Sequence, residues 1–290
     1  MYSTADQRAL TELSKKLLAP SLFGENPEEI IFDLRRAIRF HEWRYSVKND
    51  PVISDFEYDS LFKMLEKIEE ERPDLIEADS PTQRVSADLV ENFVQVAHLT
   101  PMLSLDNSYD ADDLKDFDTA VKKLAMLPPD SEVEYCVEPK FDGGTIVLVF
   151  ENDQLVRAAT RGNGSLGDEI TMNMRTVKSI PLRANFSEKG FQKVELRGEA
   201  LIRKDVFEKM NARRLAAGEP LFANPRNAAT GGLRTKDPKE TAARNLDAFI
   251  YTFGYGVDNQ GVTQLGQFDL LFETGRIGGV LRGKLRQSII

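Results

Sequence analysis

The sequence predicts an α+β protein, a helical N-terminal part followed by a larger part built on antiparallel strands and flanking helices. Three observations carry this. Ahead of residue 92, apolar residues recur three and four apart between helix-capping signals. From residue 134 onward, short β-rich runs alternate with polar turns. The charge is also unevenly divided: residues 1–92 carry 20 acidic and 12 basic side chains, residues 93–290 carry 27 and 26, together the net −9 of the chain.

The first helix is read within residues 1–20 from Leu10, Leu13, Leu17 and Leu18. Asn26-Pro27-Glu28-Glu29 starts the second, with Asn as cap, Pro at the first helical position and acids facing the positive end of the dipole. Ile31, Leu34, Ile38, His41 and Tyr45 then share one face, and Asn49-Asp50-Pro51 ends the helix. Ser54-Asp55-Phe56-Glu57 has the form of a capping box, and Tyr58, Leu61, Phe62, Leu65 and Ile68 form the apolar stripe of a third helix closed by Glu69–Pro73. From Ser80-Pro81-Thr82 the chain is loop-rich until a helix around 111–126. Strands are expected at Glu134–Val137, Thr145–Phe150, Leu155–Thr160, Val194–Ala200 and Ala248–Phe253, with a helix at about 204–216. The polar turn Glu151-Asn152-Asp153-Gln154 makes the second and third strands an antiparallel hairpin.

Composition narrows the chemistry. With 290 residues, 41% hydrophobic and 29% charged, the chain can bury a sizeable core, and no run approaches the roughly 18 apolar residues of a spanning helix. The N-terminus lacks a signal-peptide pattern, so a cytoplasmic protein with no membrane partner is expected. One cysteine, Cys136, excludes an internal disulfide and any multi-cysteine zinc site, and is read as a small buried strand residue. Two histidines, His41 and His98, leave little room for a histidine-based metal site, and no metal-ligating residue is assigned. Lysine, arginine and carboxylates must carry the chemistry. The net charge of −9 argues against a nucleic-acid partner, but the acidity belongs mostly to the helical part.

Gly162-Asn163-Gly164-Ser165-Leu166-Gly167 spells the G-x-G-x-x-G of dinucleotide folds, yet it follows the second arm of a hairpin rather than the strand of a parallel βαβ unit, so that reading is rejected. Glu138-Pro139-Lys140-Phe141-Asp142-Gly143 is more informative. In an extended segment Glu138, Lys140 and Asp142 face the same way, forming either a solvated ion-pair cluster or a reactive lysine among carboxylates.

The K-x-D-G of this segment, followed by Thr160-Arg161-Gly162, resembles the signature of covalent nucleotidyltransferases, the superfamily of ligases and capping enzymes. Tyr45, Asp50, Pro51, Ser54, Asp55, Glu57, Tyr58 and Asp59 are similar to the nicotinamide-binding segment of NAD-dependent bacterial DNA ligases. Ser80–Val85, Met102–Asn107, Glu195–Glu199 and Phe222–Ala229 resemble further blocks of that family in order, so the resemblance runs from about residue 25 to about residue 260. It implies a helical nicotinamide mononucleotide-binding domain over 1–92 and a nucleotidyltransferase domain over 93–290, with an atypical tail at 262–290.

The resemblance implies that Lys140 attacks the α-phosphorus of NAD, expels nicotinamide mononucleotide and becomes a lysyl-AMP. The attack needs a neutral amine, and a free lysine titrating near ~10.4 is neutral in only about one molecule in a thousand near pH 7.5, a deficit of roughly 4 kcal/mol. Asp142 and Glu138 favour the charged form, so Mg²⁺, Arg161 or desolvation must oppose them. The same resemblance assigns the nicotinamide clamp to Tyr45, Asp55, Tyr58 and Asp59. Ser104 and Leu105 line the dinucleotide site, and Glu138 sits by the adenine. Arg161 and Glu199 lie about the AMP ribose, and Arg226 and Arg234 contact phosphate or DNA. Read from the residues alone, Asp55 is a dipole-stabilising acid, Tyr45 and His41 are helix core, and Arg226 is a loop arginine paired with a neighbouring acid; beside the resemblance, His41 is left open between core and site.

The chain departs from the family's pattern in places. Ser46 stands where an aromatic residue or histidine is common, and the similarity fades after about Gly261. Residues 274–290 carry four basic and no acidic side chains, and the later lysine motifs are not found. The expectation is therefore a fragment: the adenylation portion of a ligase whose partners are NAD and, in the longer enzyme, nicked double-stranded DNA. It is expected to be a monomer, unable to seal nicks alone and slow or inactive in self-adenylation. The alternatives are an inactive NAD-binding remnant and an ATP-using nucleotidyltransferase.

Overall fold

The computed structural model describes residues 2–19, 27–46, 48, 50–84, 92–104, 106–135, 137, 139–258 and 263–264. Helix α1 (Thr4–Leu17) opens with a capping box in which Ser3 and Asp6 satisfy each other's backbone N–H. Helix α2 (Pro27–Ser46) begins at the expected proline with Glu28 and Glu29 in its first turn, and Asn26 and Asn49 lie outside the described residues. Helix α3 (Asp55–Glu71) has the capping box read from the sequence: the Ser54 hydroxyl accepts from the Glu57 N–H, and the Glu57 carboxylate accepts from the Ser54 N–H at 2.8 Å. Leu17, Ile31, Leu34, Ala37, Ile38, Leu61, Leu65 and Ile68 form the core among these helices. Short 3-10 turns at Pro73–Leu75 and Pro81–Arg84 lead away from α3.

Strand β1 (Gln95–Ala97) precedes helix α4 (Ala111–Leu124). Strands β2 (Gly144–Glu151) and β3 (Gln154–Thr160) form the expected hairpin, Glu151 paired with Gln154. Its two central residues, Asn152 and Asp153, both have positive φ (48° and 71°), the conformation of a type I′ turn, whose twist matches that of the strands. Strand β4 (Leu166–Asp168) pairs antiparallel with β1. Helix α5 (Thr171–Arg175), strand β5 (Phe191–Leu201) and helices α6 (Lys204–Ala216), α7 (Pro225–Leu233) and α8 (Pro238–Ala243) follow, then strands β6 (Asp247–Asp258) and β7 (Thr263–Gln264). The main sheet is antiparallel throughout in the order β3-β2-β5-β6-β7. Its core joins Ile146, Leu148, Phe150, Leu196 and Phe253 to Ala228, Ala229 and Leu233 of α7.

The chain divides into two compact units. Among the described residues, one comprises those up to Pro101 and those from Phe141 onward; the other lies within Met102–Lys140. In the second, Asp110 caps α4 by accepting from Asp112 and Asp113, and the Tyr135 hydroxyl donates to Asp118 at 2.7 Å.

Three readings are corrected. Glu134 and Tyr135 are not a strand; the Tyr135 ring is held instead against Phe117, 5.8 Å between centroids. Pro139 to Asp142 are likewise irregular, β2 beginning only at Gly144. Tyr45 does not share the buried face of Ile31, Leu34 and Ile38: it is 59% exposed on the last turn of α2, beyond the reach of the core. Cys136 and the segments 85–91 and 265–290, hence the 92/93 boundary region and most of the tail, lie outside the described residues.

Candidate active site

The head of β2 is built by close backbone approach. Gly144 pairs with Ala200 and Thr145 with Glu199 on β5. A Cβ on Gly143 would stand 2.1 Å from the Ala200 carbonyl oxygen, so only glycine fits beside β5 here. The Gly143 N–H donates to Glu199 Oε1 at 3.1 Å, which fixes a carboxylate that is almost fully buried. Asp142, one residue earlier, is exposed and accepts from Arg226 Nη1 at 2.6 Å.

Arg226 lies on a helix, not in a loop. Asn224 caps α7 by accepting from the Asn227 N–H at 2.8 Å, and Pro225 takes the first helical position. Small residues let α7 lie close to the sheet, so Asn-Pro-Arg-Asn delivers Arg226 to Asp142 from 84 residues away in sequence. The pairing expected of a structural arginine is therefore present, but its partner is a predicted catalytic residue.

The glycine loop behaves as its rejection as a dinucleotide fingerprint requires. Gly162 and Gly164 have positive φ, Asn163 Oδ1 accepts from the Ser165 and Leu166 N–H groups, and the chain turns directly into β4. Arg161 is exposed at its start, and its carbonyl accepts from His98 Nε2 at 2.9 Å. Arg234, at the end of α7, pairs with Asp168 at 3.0 Å on the far side of this loop. Lys140 and Ser104 belong to the second unit and are exposed; Leu105 and Glu138 lie outside the described residues.

On the helical part, Asp55 and Asp59 are exposed on the first turns of α3, with Tyr58 half-buried between them. The Tyr58 ring stacks on Phe62 and lies under the Lys178 ammonium, 5.9 Å from its centroid, so this ring face already attracts a cation. Burial raises the Tyr58 phenol above its ordinary range, with the Glu42 carboxylate acting in the same direction. The side chain of Ser46 is outside the described residues.

His41 proves to be core. Its Nε2 lies 2.7 Å from Ser14 Oγ, whose own hydrogen is used on the Leu10 carbonyl, so Nε2 is the donor. Burial, aided by Arg44, lowers it to about 4.

Sequence reasoning missed Glu42 and Arg84, both buried and ion-paired at 2.9 Å. A signal existed: Arg35, Arg39 and Glu42 recur at helical spacing beside the apolar stripe of α2, and Arg84 lies within the Ser80–Val85 block.

Among the described residues no three or more His, Cys, Asp or Glu side chains cluster as metal ligands, and no helix is long and apolar enough to cross a membrane. Residues 90–277 match the NAD-dependent DNA ligase adenylation domain, past the point near Gly261 where motif-level resemblance fades, and residues 24–86 match the DNA ligase-like N-terminal NAD⁺-binding domain. A DNA ligase of Sulfurihydrogenibium sp. (strain YO3AOP1) is 54% identical over 269 residues, covering 92% of this chain and 38% of the relative. DNA ligases of Aquifex aeolicus and Carboxydothermus hydrogenoformans are 48% and 47% identical, covering 88% and 84% of this chain and 36% of each relative. The chain thus spans little more than a third of the length of these relatives. With β2, β5 and α7 bringing Asp142, Glu199 and Arg226 to the head of β2, and α3 carrying Asp55, Tyr58 and Asp59, the chain belongs to the NAD-dependent DNA ligase family.

Proposed function

We propose that this chain carries out the adenylation half of NAD-dependent DNA ligation. Lys140 Nζ attacks the α-phosphorus of NAD, the bond from that phosphorus to the nicotinamide mononucleotide oxygen breaks, and the amine loses its proton, leaving a lysyl-AMP phosphoramidate. In the longer enzyme the AMP then passes to the 5′-phosphate at a nick in double-stranded DNA, and a 3′-hydroxyl displaces it to join the strands. The observation that carries this reading is the convergence of Arg226 on Asp142 and of Glu199 on Gly143, two and three residues after Lys140 in the sequence.

The residues divide the work as the family resemblance implies. Asp55, Tyr58, Asp59 and Tyr45 hold the leaving group: paired carboxylates and aromatic rings suit a cationic nicotinamide and its ribose hydroxyls. Glu138, Ser104, Leu105, Arg161 and Glu199 receive the adenosine half. Arg226, freed from Asp142 when phosphate arrives, offers it a bidentate fork, and Arg234 does the same toward phosphate or DNA. Functionally the chain divides into a helical domain over 1–92 and an adenylation domain over 93–290.

The exposed Asp142 carboxylate would suit a hydrated Mg²⁺, which is usually held by one or two carboxylates and substrate phosphates. When bound, it neutralises phosphate charge. The protein acts as a monomer in the cytoplasm.

The test is intact-mass measurement after incubation with NAD and Mg²⁺. An AMP adduct that is lost in Lys140→Ala is expected. NAD binding without an adduct would establish an inactive binding module, and an adduct from ATP alone would reassign the substrate.

A further inference from the structure

A buried polar seam runs along α2. Arg35 pairs with Glu69 at 2.8 Å and donates to the Leu75 carbonyl. One turn on, Arg39 donates to the Asp79 carbonyl at 3.0 Å, and Glu42 receives Arg84. At this last position the seam meets the nicotinamide clamp. Arg84 grips Glu42 with both edges of its fork: Nε lies 3.0 Å from Oε1 and Nη2 lies 2.9 Å from Oε2. Its remaining nitrogen, Nη1, donates to the carbonyls of Arg175 and Ile180 at 3.1 and 3.0 Å. The plane of the Glu42 carboxylate is therefore set from outside the helix that bears it. The Tyr58 hydroxyl reaches the same oxygen, Glu42 Oε1, in a long hydrogen bond of 3.4 Å.

A buried ion pair contributes little net stability over an apolar pair of the same volume, so stability alone gives no reason for charge at this place. Direction does. A phenol has one hydrogen, and Glu42 is an acceptor that cannot give one back. With its hydrogen turned toward Glu42, the Tyr58 oxygen presents its lone pairs to a ligand.

Resting on the clamp reading of Tyr58, we propose that Glu42 is a positioning residue for the nicotinamide mononucleotide site: held in place by Arg84, it takes the Tyr58 hydrogen and leaves the phenol oxygen as an acceptor for an N–H or O–H of the ligand. A ribose hydroxyl and the carboxamide NH₂ both meet that requirement. Arg84 extends the same control to the Arg175 and Ile180 turns, which ties the clamp to the part of the chain that carries the sheet.

The test is calorimetric titration of nicotinamide mononucleotide into the full chain and its variants. Glu42→Gln lets Arg84 hold the amide oxygen and turn the NH₂ toward Tyr58, which reverses the polarity. Glu42→Gln and Tyr58→Phe should each weaken binding by about three- to ten-fold, the range for one hydrogen bond. In a double-mutant cycle the combined variant should bind no more weakly than the weaker single variant. Because Glu42→Gln leaves Arg84 buried without its counter-charge, Glu42→Leu with Arg84→Met serves as the second variant. It leaves no buried charge unpaired, loses some melting temperature with the Arg175 and Ile180 carbonyl bonds, and in its folded state should still show the loss of binding. Parent-like binding by Glu42→Gln, or an undiminished effect of it in the Tyr58→Phe background, overturns the proposal. Asp59→Asn separates the two layers. If Asp59→Asn and Tyr58→Phe weaken binding while Glu42→Gln does not, positioning alone is wrong; if none of the three changes affinity, the clamp reading fails and the proposal falls with it.

Discussion

Replacing Gly143 with alanine should disable adenylation out of proportion to the single methyl group added. The new Cβ would meet the Ala200 carbonyl oxygen at 2.1 Å, whereas ordinary contact begins at 3.4 Å. The obstacle is backbone in the central strand β5, so the head of β2 must yield by about 1.3 Å, at a typical overpacking cost of roughly 1–3 kcal/mol. That displacement breaks the Gly143 N–H bond to Glu199 and carries Asp142 away from Arg226. A misplacement of about 1 Å in a reacting constellation costs on the order of 10²-fold in rate. Single-turnover formation of lysyl-AMP from NAD, with a melting temperature on the same sample, reads both effects. Gly190→Ala is the control, because nothing lies within 4 Å of its Cβ and only its φ of +85° is unfavourable. It should lose roughly 1–2 kcal/mol of stability and keep its rate. Adenylation by Gly143→Ala within threefold of the parent would refute the claim that backbone closure here positions the site.

Further outcomes follow from particular groups. Asp142→Asn should change global stability by under about 1 kcal/mol, because the pair it forms with Arg226 is more than half exposed on both sides, yet it should slow adenylation far more than that figure implies; equal small effects on both would make the pair merely a surface bridge. His41 is neutral in the fold, held at about 4 against an ordinary 6.5. The unfolded chain therefore takes up a proton first as pH falls. His41 contributes no penalty above pH 6.5 and progressively destabilises the fold between 6.5 and 4, by about 2 kcal/mol at pH 5. Urea titrations at pH 7 and pH 5 should show this slope in the parent and lose it in His41→Gln; identical slopes would contradict the buried neutral ring. Ser54→Ala removes the acceptor for the Glu57 N–H and should cost about 1 kcal/mol, measured by thermal unfolding.

The parts of the fold legible in the sequence are those set by local chemistry. The capping box at Ser54, the proline start of α2 and the asparagine-aspartate turn between β2 and β3 all appear in place, because each needs only a few neighbouring residues. Helix α7 was invisible to periodicity: Ala228, Ala229, Gly231 and Gly232 supply no stripe, and the helix is held by small-residue contact with the sheet. The strand expected at Glu134–Val137 fails for the converse reason, since β propensity there is not matched by a ladder along Glu134 and Tyr135.

The site divides in the same way. Lys140, Asp142, Glu199 and Arg226 are readable as motif residues, but the ion pair between Asp142 and Arg226 is a long-range fact that no spacing encodes. Glu42 and Arg84 show the limit most clearly. Spacing and a motif block mark both residues, but only the tertiary structure reveals Glu42 buried against Arg84 and within reach of Tyr58.

The central claim is that Lys140 is the nucleophile toward NAD. Intact-mass spectrometry of the parent chain after incubation with NAD and Mg²⁺ tests it most directly. The AMP adduct, however slowly it forms, should map by peptide fragmentation to Lys140, appear with release of nicotinamide mononucleotide, and be absent in Lys140→Ala. An adduct that persists in Lys140→Ala, or maps to another residue, would contradict it.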